Sequence, residues 1–128
     1  MIQKQTWIFI SDSTTVKWLQ TFHLYKGFRR RVTYTGFFIK GSAKIVSPPQ
    51  IEYKGFKFKF NSKGDICRSL IIRSKFNTKK NDGLVLWFPE NNGILIKKKQ
   101  NIKSKYLVGP VSRELKRRKV QLLFKTVI

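Results

Sequence analysis

The stretch from Lys63 to Lys75, KGDICRSLIIRSK, constrains the fold more than any other part of the chain. It concentrates β-branched and aliphatic residues behind a Gly-Asp turn signal. Gly64 can take the positive φ of a tight turn, Asp65 can hydrogen-bond the backbone beyond it, and Ile66, Leu70, Ile71 and Ile72 suit a pleated, buried surface. Their phases matter as much as their number. Ile66, Leu70 and Ile72 lie on one side of a period-two strand and Cys67 and Ile71 on the other, which predicts a strand covered on both faces. Seven residues past Lys75, Asp82-Gly83 opens the next apolar run, LVLWF. This hairpin-like punctuation predicts an all-β body with Lys63–Lys75 as its central strand.

A chain of 128 residues has room for one domain with a small core. Its charge says more. Lys and Arg number 28 against 6 Asp and Glu, a formal net charge of +22. A compact body with that excess repels itself and is relieved only beside a dense polyanion, so the expected partner is nucleic acid. A merely solvated surface would ordinarily carry a comparable number of acids.

One cysteine, Cys67, excludes a disulfide framework and any C-x-x-C metal site, and is most simply a small buried hydrophobe. No apolar run approaches the roughly 20 residues of a membrane span. The opening MIQKQTWIFIS has only a short apolar core and no small-residue cleavage site, so neither a signal peptide nor a transit peptide is expected. Lys outnumbers Arg 20 to 8, and a single alanine stands beside 13 Ile and 11 Phe. Such a bias follows from an AT-rich genome.

Along the chain, Gln5–Ile10 reads as a short strand closed by Ser11, Asp12 and Ser13. Val16–Tyr25 reads as a second strand with imperfect alternation. His23, the only histidine, has no second ligand or carboxylate beside it in sequence and is read as structural. Arg29, Arg30 and Arg31 form a basic turn that is costly to bury and suited to phosphate. Phe37, Phe38 and Ile39 precede a basic, small-residue stretch, and Pro48-Pro49 then interrupts any ladder. From Ile51 to Phe60 apolar and charged residues alternate. Phe56, Phe58 and Phe60 suit either a half-buried strand, the reading preferred, or a stacking platform for single-stranded bases.

Lys79 and Lys80 precede the Asp82-Gly83 turn. Gly93–Ile96 reads as a short strand, and Lys97, Lys98, Lys99, Lys103 and Lys105 form a basic arm. Gly109-Pro110 reads as a helix start, with Val111 and Leu115 four apart on one face. Arg113, Lys116, Arg117, Arg118 and Lys119 make that short helix basic, and VQLLFKTVI reads as a closing strand. The six acids are scattered, no serine has a histidine in sequence context, and no glycine-rich phosphate loop is present. The chain is expected not to be an enzyme, and neither cofactor nor metal is expected.

Four blocks in order, MIQKQT, KGDICRSLIIRSK, the DGLVLWF to ENNGILI region and GPVSREL, resemble the universal large-subunit ribosomal protein family fourteen. That family opens Met-Ile-Gln-x-x-Thr. It continues with Lys-Gly-Asp before a valine-rich strand ending Arg-Thr-Lys, an Asp-Gly turn before an Arg-Phe-Asp-like strand, and Gly-Pro-Val-x-Arg-Glu-Leu. Met1 to Thr6, Lys63 to Lys75, Asp82 to Ile96 and Gly109 to Leu115 match in order and spacing, so the resemblance spans nearly the whole chain. There are departures. The family's Asp-Asn-Ser-Gly-Ala is Asp12-Ser13-Thr14-Thr15-Val16 here, without the glycine, and its Gly-Asp-Ile-Ile is Gly36-Phe37-Phe38-Ile39. The segment between Ile39 and Lys63 is also longer, an insertion around 47–61.

The resemblance implies a small closed five-stranded β-barrel with a projecting β-ribbon and a short helical C-terminal segment, one domain over residues 1–128. It implies a structural constituent of the large ribosomal subunit that binds large-subunit rRNA. The family also touches small-subunit rRNA across the subunit interface and neighbouring large-subunit proteins and, in bacteria and mitochondria, receives a ribosome silencing factor. No membrane partner is implied. The RNA-facing cations would be Arg29, Arg30, Arg31, Lys79, Lys80, Lys97, Lys98, Lys99, Lys103, Lys105, Arg113, Lys116, Arg117 and Arg118. Sequence drift and AT bias place the expected ribosome in an organelle, the mitochondrion first, with plastid or bacterial cytoplasm as alternatives. A free single-strand-binding barrel using Phe56, Phe58 and Phe60 is the alternative function.

Overall fold

Five strands close into a barrel: β2 (Trp7–Ile10), β3 (Val16–Leu24), β5 (Phe38–Val46), β6 (Ile66–Arg73) and β9 (Asn92–Ile96). Neighbours run antiparallel except where β9 returns beside β2, and that parallel pair seals the ring. Three pairs of two-residue strands lie outside it: β1 (Ile2–Gln3) with β4 (Val32–Thr33), β7 (Thr78–Lys79) with β8 (Val85–Leu86), and β10 (Pro110–Val111) with β11 (Thr126–Val127). The computed structural model describes residues 1–25, 30–47, 62–97, 102, 107–113, 115 and 118–128. Closure leaves the barrel without a free sheet edge, the usual liability of a small β protein.

The two phases of β6 go to two different cores. Cys67 and Ile71 point into the barrel, where they meet Ile8, Ile10, Leu19, Ile39 and Leu95. Leu70 and Ile72 point outward and, with Ile94 and Ile96 of β9, are covered by Val111, Leu115, Val120 and Phe124 from the C-terminal residues. Each such side chain contributes roughly 1.5–3 kcal/mol by burial. Ile66 departs from the pattern and is 67% exposed.

Gly64 takes the positive φ (91°) that its turn requires, and its N–H donates to Ala43 O at 2.8 Å. Asp65 accepts from the backbone before it: Ser62 N donates to Oδ2 at 2.8 Å. The turn after β2 forms without the family's glycine because Asp12 Oδ1 accepts from Thr14 N (2.9 Å) and from Thr14 Oγ1, while Oδ2 accepts from Leu95 N at 3.0 Å. An aspartate bonded to the residue two ahead of it substitutes for a backbone turn.

The expectations for the C-terminal stretch are corrected, and two stretches whose place the sequence left open are located. No helix starts at Gly109-Pro110: Pro110–Val111 is strand β10, paired in parallel with Thr126–Val127. Gly109 has a φ of 87°, and a Cβ there would overlap the guanidinium of Arg73. Among the described residues helix is limited to the single turn α1 (Arg118–Gln121), so the closing strand shrinks to β11. LVLWF is not the barrel partner of β6. That place belongs to β9, and only Val85–Leu86 of LVLWF is strand, in the small pair with β7. Finally, the basic, small-residue stretch after Ile39 continues β5 to Val46, where alternating Lys40, Ser42 and Lys44 are half-buried and Gly41 and Ala43 buried. The Pro48-Pro49 break and the run from Ile51 to Phe60 lie outside the described residues.

Candidate nucleic-acid interface

Three of the stretches that carry candidate cations lie at the end of the barrel marked by Arg73. Loop residues Gly36 and Phe37 bond to Ile71 (Gly36 N to Ile71 O 2.8 Å, Ile71 N to Phe37 O 3.1 Å), and Thr35 Oγ1 meets Ser74 Oγ at 3.3 Å. Arg30 is fixed at this loop. Its Nε donates to Val32 O at 2.9 Å, and its guanidinium lies 4.5 Å from the centroid of the Phe37 ring, a stacking contact that holds the charge in place. Arg31, next in the chain, is exposed.

An open cavity of about 340 Å³ lies beside this loop, lined by Tyr34, Phe76, Lys79, Leu86, Phe88 and Ser112 among others. It brings the β7–β8 pair and the C-terminal residues to one place. Lys79 is exposed and Lys80 half-buried, with Lys80 N donating to Leu84 O at 2.8 Å across the turn. Arg113, adjacent to Ser112, is exposed, and its backbone is held at both ends: Arg113 N donates to Ile128 O at 3.0 Å and Gln121 Nε2 donates to Arg113 O at 2.8 Å. The fold therefore brings the stretches that carry Arg30 and Arg31, Lys79 and Lys80, and Arg113 to one cavity, which Tyr34, Lys79 and Ser112 line together. Lys97 stands apart. It follows Ile96, which pairs with Arg68 at the opposite end of β6, and it is exposed. Arg29, Lys98, Lys99, Lys103, Lys105, Lys116 and Arg117 lie outside the described residues. So does the side chain of Arg118, whose backbone opens α1.

Arg73 was not among the sequence candidates, and among the described residues it is a cation held by three internal acceptors. Only 8% exposed, it donates from Nη1 to Val108 O and Pro110 O (2.9 Å each) and from Nη2 to Ser11 Oγ at 2.7 Å. Asn92 Nδ2 donates to the same hydroxyl at 2.8 Å. Burial pushes the Arg73 pKa down from the usual arginine value, and the charge of Glu90 opposes that shift. Arg73 thus fastens the 108–110 backbone onto the barrel and orders this end of it from within. The Arg-x-Lys ending of the central strand was its one sequence signal.

With a closed five-stranded barrel and this cluster in view, the comparison with known families decides the identity. Residues 1–127 match the family described as Ribosomal protein L14p/L23e. The chain belongs to that family. As a member it is a structural constituent of the large ribosomal subunit.

Proposed function

We propose that the chain binds large-subunit rRNA through phosphate contacts from the cations around the Arg73 end of the barrel, with Lys97, the other lysines of the 97–105 arm and the C-terminal arginines adding further contacts. The observation that carries this reading is the approach of the stretches bearing Arg30, Arg31, Lys79, Lys80 and Arg113 to one cavity, in a family member whose net charge is +22. Phosphate contacts position a protein without reading sequence, and the rigid barrel supplies the shape that fits folded RNA.

In this reading the β7–β8 pair is the family's projecting ribbon. Its exposed Leu84, Val85 and Trp87 meet neighbouring large-subunit proteins. The chain is a single domain with a lineage-specific insertion at 47–61. It contributes to the subunit interface, where it touches small-subunit rRNA and a silencing factor docks, and it works in a mitochondrial ribosome. Co-sedimentation with mitochondrial large subunits in moderate salt tests the location.

The binding mode has its own test. Replacing Lys79, Lys80 and Arg113 together by alanine should weaken binding about equally for all RNA sequences. It should also flatten the plot of log affinity against log salt by about 0.7–0.9 per lost phosphate contact. An unchanged slope would show that these cations do not meet phosphate.

A further inference from the structure

The barrel's outer surface is covered unevenly. Outside β6 and β9 the C-terminal residues form a second apolar layer. Outside β2, β3, β5 and the first residue of β6 large apolar side chains face solvent instead, with Trp7 45%, Ile45 50% and Ile66 67% exposed. Strand register arranges them in two rows. Phe9, Trp18 and Ile45 are successive partners across β2, β3 and β5, and Trp7, Gln20, Ser42 and Ile66 are successive partners from β2 to β6. Trp18 packs edge-on to Phe9, with centroids 5.3 Å apart at 73°, and stands 6.4 Å from Trp7 at 56°. Trp7 is therefore propped from one side while nearly half its surface stays open. This places a rigid aromatic ring where it does nothing for the core.

Charge selects the occupant. β2, β3 and β5 contain three lysines, Lys17, Lys40 and Lys44, and no Asp or Glu. Lys17 precedes Trp18 and Lys44 precedes Ile45, so cations border the aromatic row. In the next row Lys40 is paired with Arg68, whose guanidinium lies 5.3 Å from the Tyr25 ring centroid. A protein surface docked here would have to bring carboxylates to each of these cations or leave them desolvated. Single-stranded RNA carries a flat base and an anion in every nucleotide, and matches both features at once.

We infer that this face binds an unpaired stretch of RNA, with one base stacked on Trp7 and adjacent phosphates on Lys17 and Lys44. The inference rests on the rRNA-binding reading above and adds base stacking to a protein whose other cations meet phosphate alone.

The test uses the full chain carrying Trp87→Phe, so that fluorescence reports Trp7 and Trp18. It is titrated with a short oligoadenylate, an abasic strand of the same length and an RNA duplex. Trp7→Ala should weaken oligoadenylate binding about tenfold or more and leave abasic and duplex binding unchanged. Trp7→Phe, which keeps a ring, should restore most of the loss. Equal losses on all three ligands would make Trp7 structural and overturn the inference, as would no loss on oligoadenylate. In assembled large subunits a photo-crosslinker at position 7 should join RNA, and joining protein instead would also overturn it. Failure of the Trp87→Phe chain itself to bind any of the three RNAs would sink the rRNA reading together with this one. Normal duplex binding with an inert Trp7 would sink this one alone.

Discussion

Replacing Arg73 by methionine should release the C-terminal layer before the barrel opens. Methionine retains much of the stem's volume and removes three charge-assisted hydrogen bonds. Their loss is unequal. Ser11 Oγ keeps the Asn92 donor at 2.8 Å, and the Val108 carbonyl belongs to a residue 63% exposed and can turn to water. Pro110 is half-buried, so its carbonyl is the acceptor for which water replaces the lost donor least easily. Hydrogen bonds to a charged group contribute about 1.5–3 kcal/mol each, and an orphaned buried acceptor costs about 1–3 kcal/mol. The desolvation that already depresses the Arg73 pKa is recovered on substitution and offsets part of this. The net destabilisation should be about 2–4 kcal/mol. It should appear as a lower urea midpoint at unchanged slope. Limited proteolysis of the folded variant should cut first between residues 107 and 128. Arg73→Lys keeps the charge but not the planar fork, and should recover less than about half of the loss. A methionine variant within about 0.5 kcal/mol of the parent, or first cuts in β2 to β6, would refute the role given to Arg73.

Two other outcomes follow from the same packing. Ile71→Ala, which empties a fully buried position in the barrel, should cost about 2–5 kcal/mol, whereas Lys97→Ala should stay within about 0.5 kcal/mol; the reverse ranking in urea midpoints would invert core and surface. Joining Ser47 to Ser62 through a short Gly-Ser linker should leave cooperative unfolding intact, because Ser47 N is bonded to Thr15 O and Gly64 N to Ala43 O at 2.8 Å each, while impairing incorporation into the large subunit; normal incorporation would remove any docking role for the insertion.

What could be read from sequence was whatever a strand records locally. β6 showed apolar residues on both phases because two layers cover it, and the Gly64 turn was visible because only its backbone mattered. The misreadings share a different cause. Proline suits both a first helical turn and a short outer strand. At Pro110 the choice is made by Arg73, which holds the carbonyls of Val108 and Pro110 from the far side of the sequence, and by pairing with Thr126. LVLWF has the apolar density of a core strand, yet Leu84, Val85 and Trp87 are exposed. Composition records that a surface is apolar and not which molecule covers it. The sequence named the cations one by one and gave no sign of their arrangement, since the stretches that carry Arg30, Lys79 and Arg113 approach one another through the loop at Ile71 and the cavity beside it.

The distribution of ring and aliphatic side chains carries that point further. The largest fully buried side chains among the described residues are all Ile or Leu, while Trp7, Phe22, Phe76 and Trp87 are exposed. A five-stranded barrel has a narrow interior that branched aliphatic chains fill well. Aromatic residues are normally the largest contributors to a core by area, so the placement of these four outside one already filled is not explained by the stability of the isolated chain. Exposed rings combined with a net charge of +22 make a surface poorly suited to water on both counts and well suited to a folded ribonucleoprotein, where bases, phosphates and neighbouring proteins are all at hand. The core thus sets whether the barrel folds, and the rings and cations outside it are left for the ribosomal contacts proposed above.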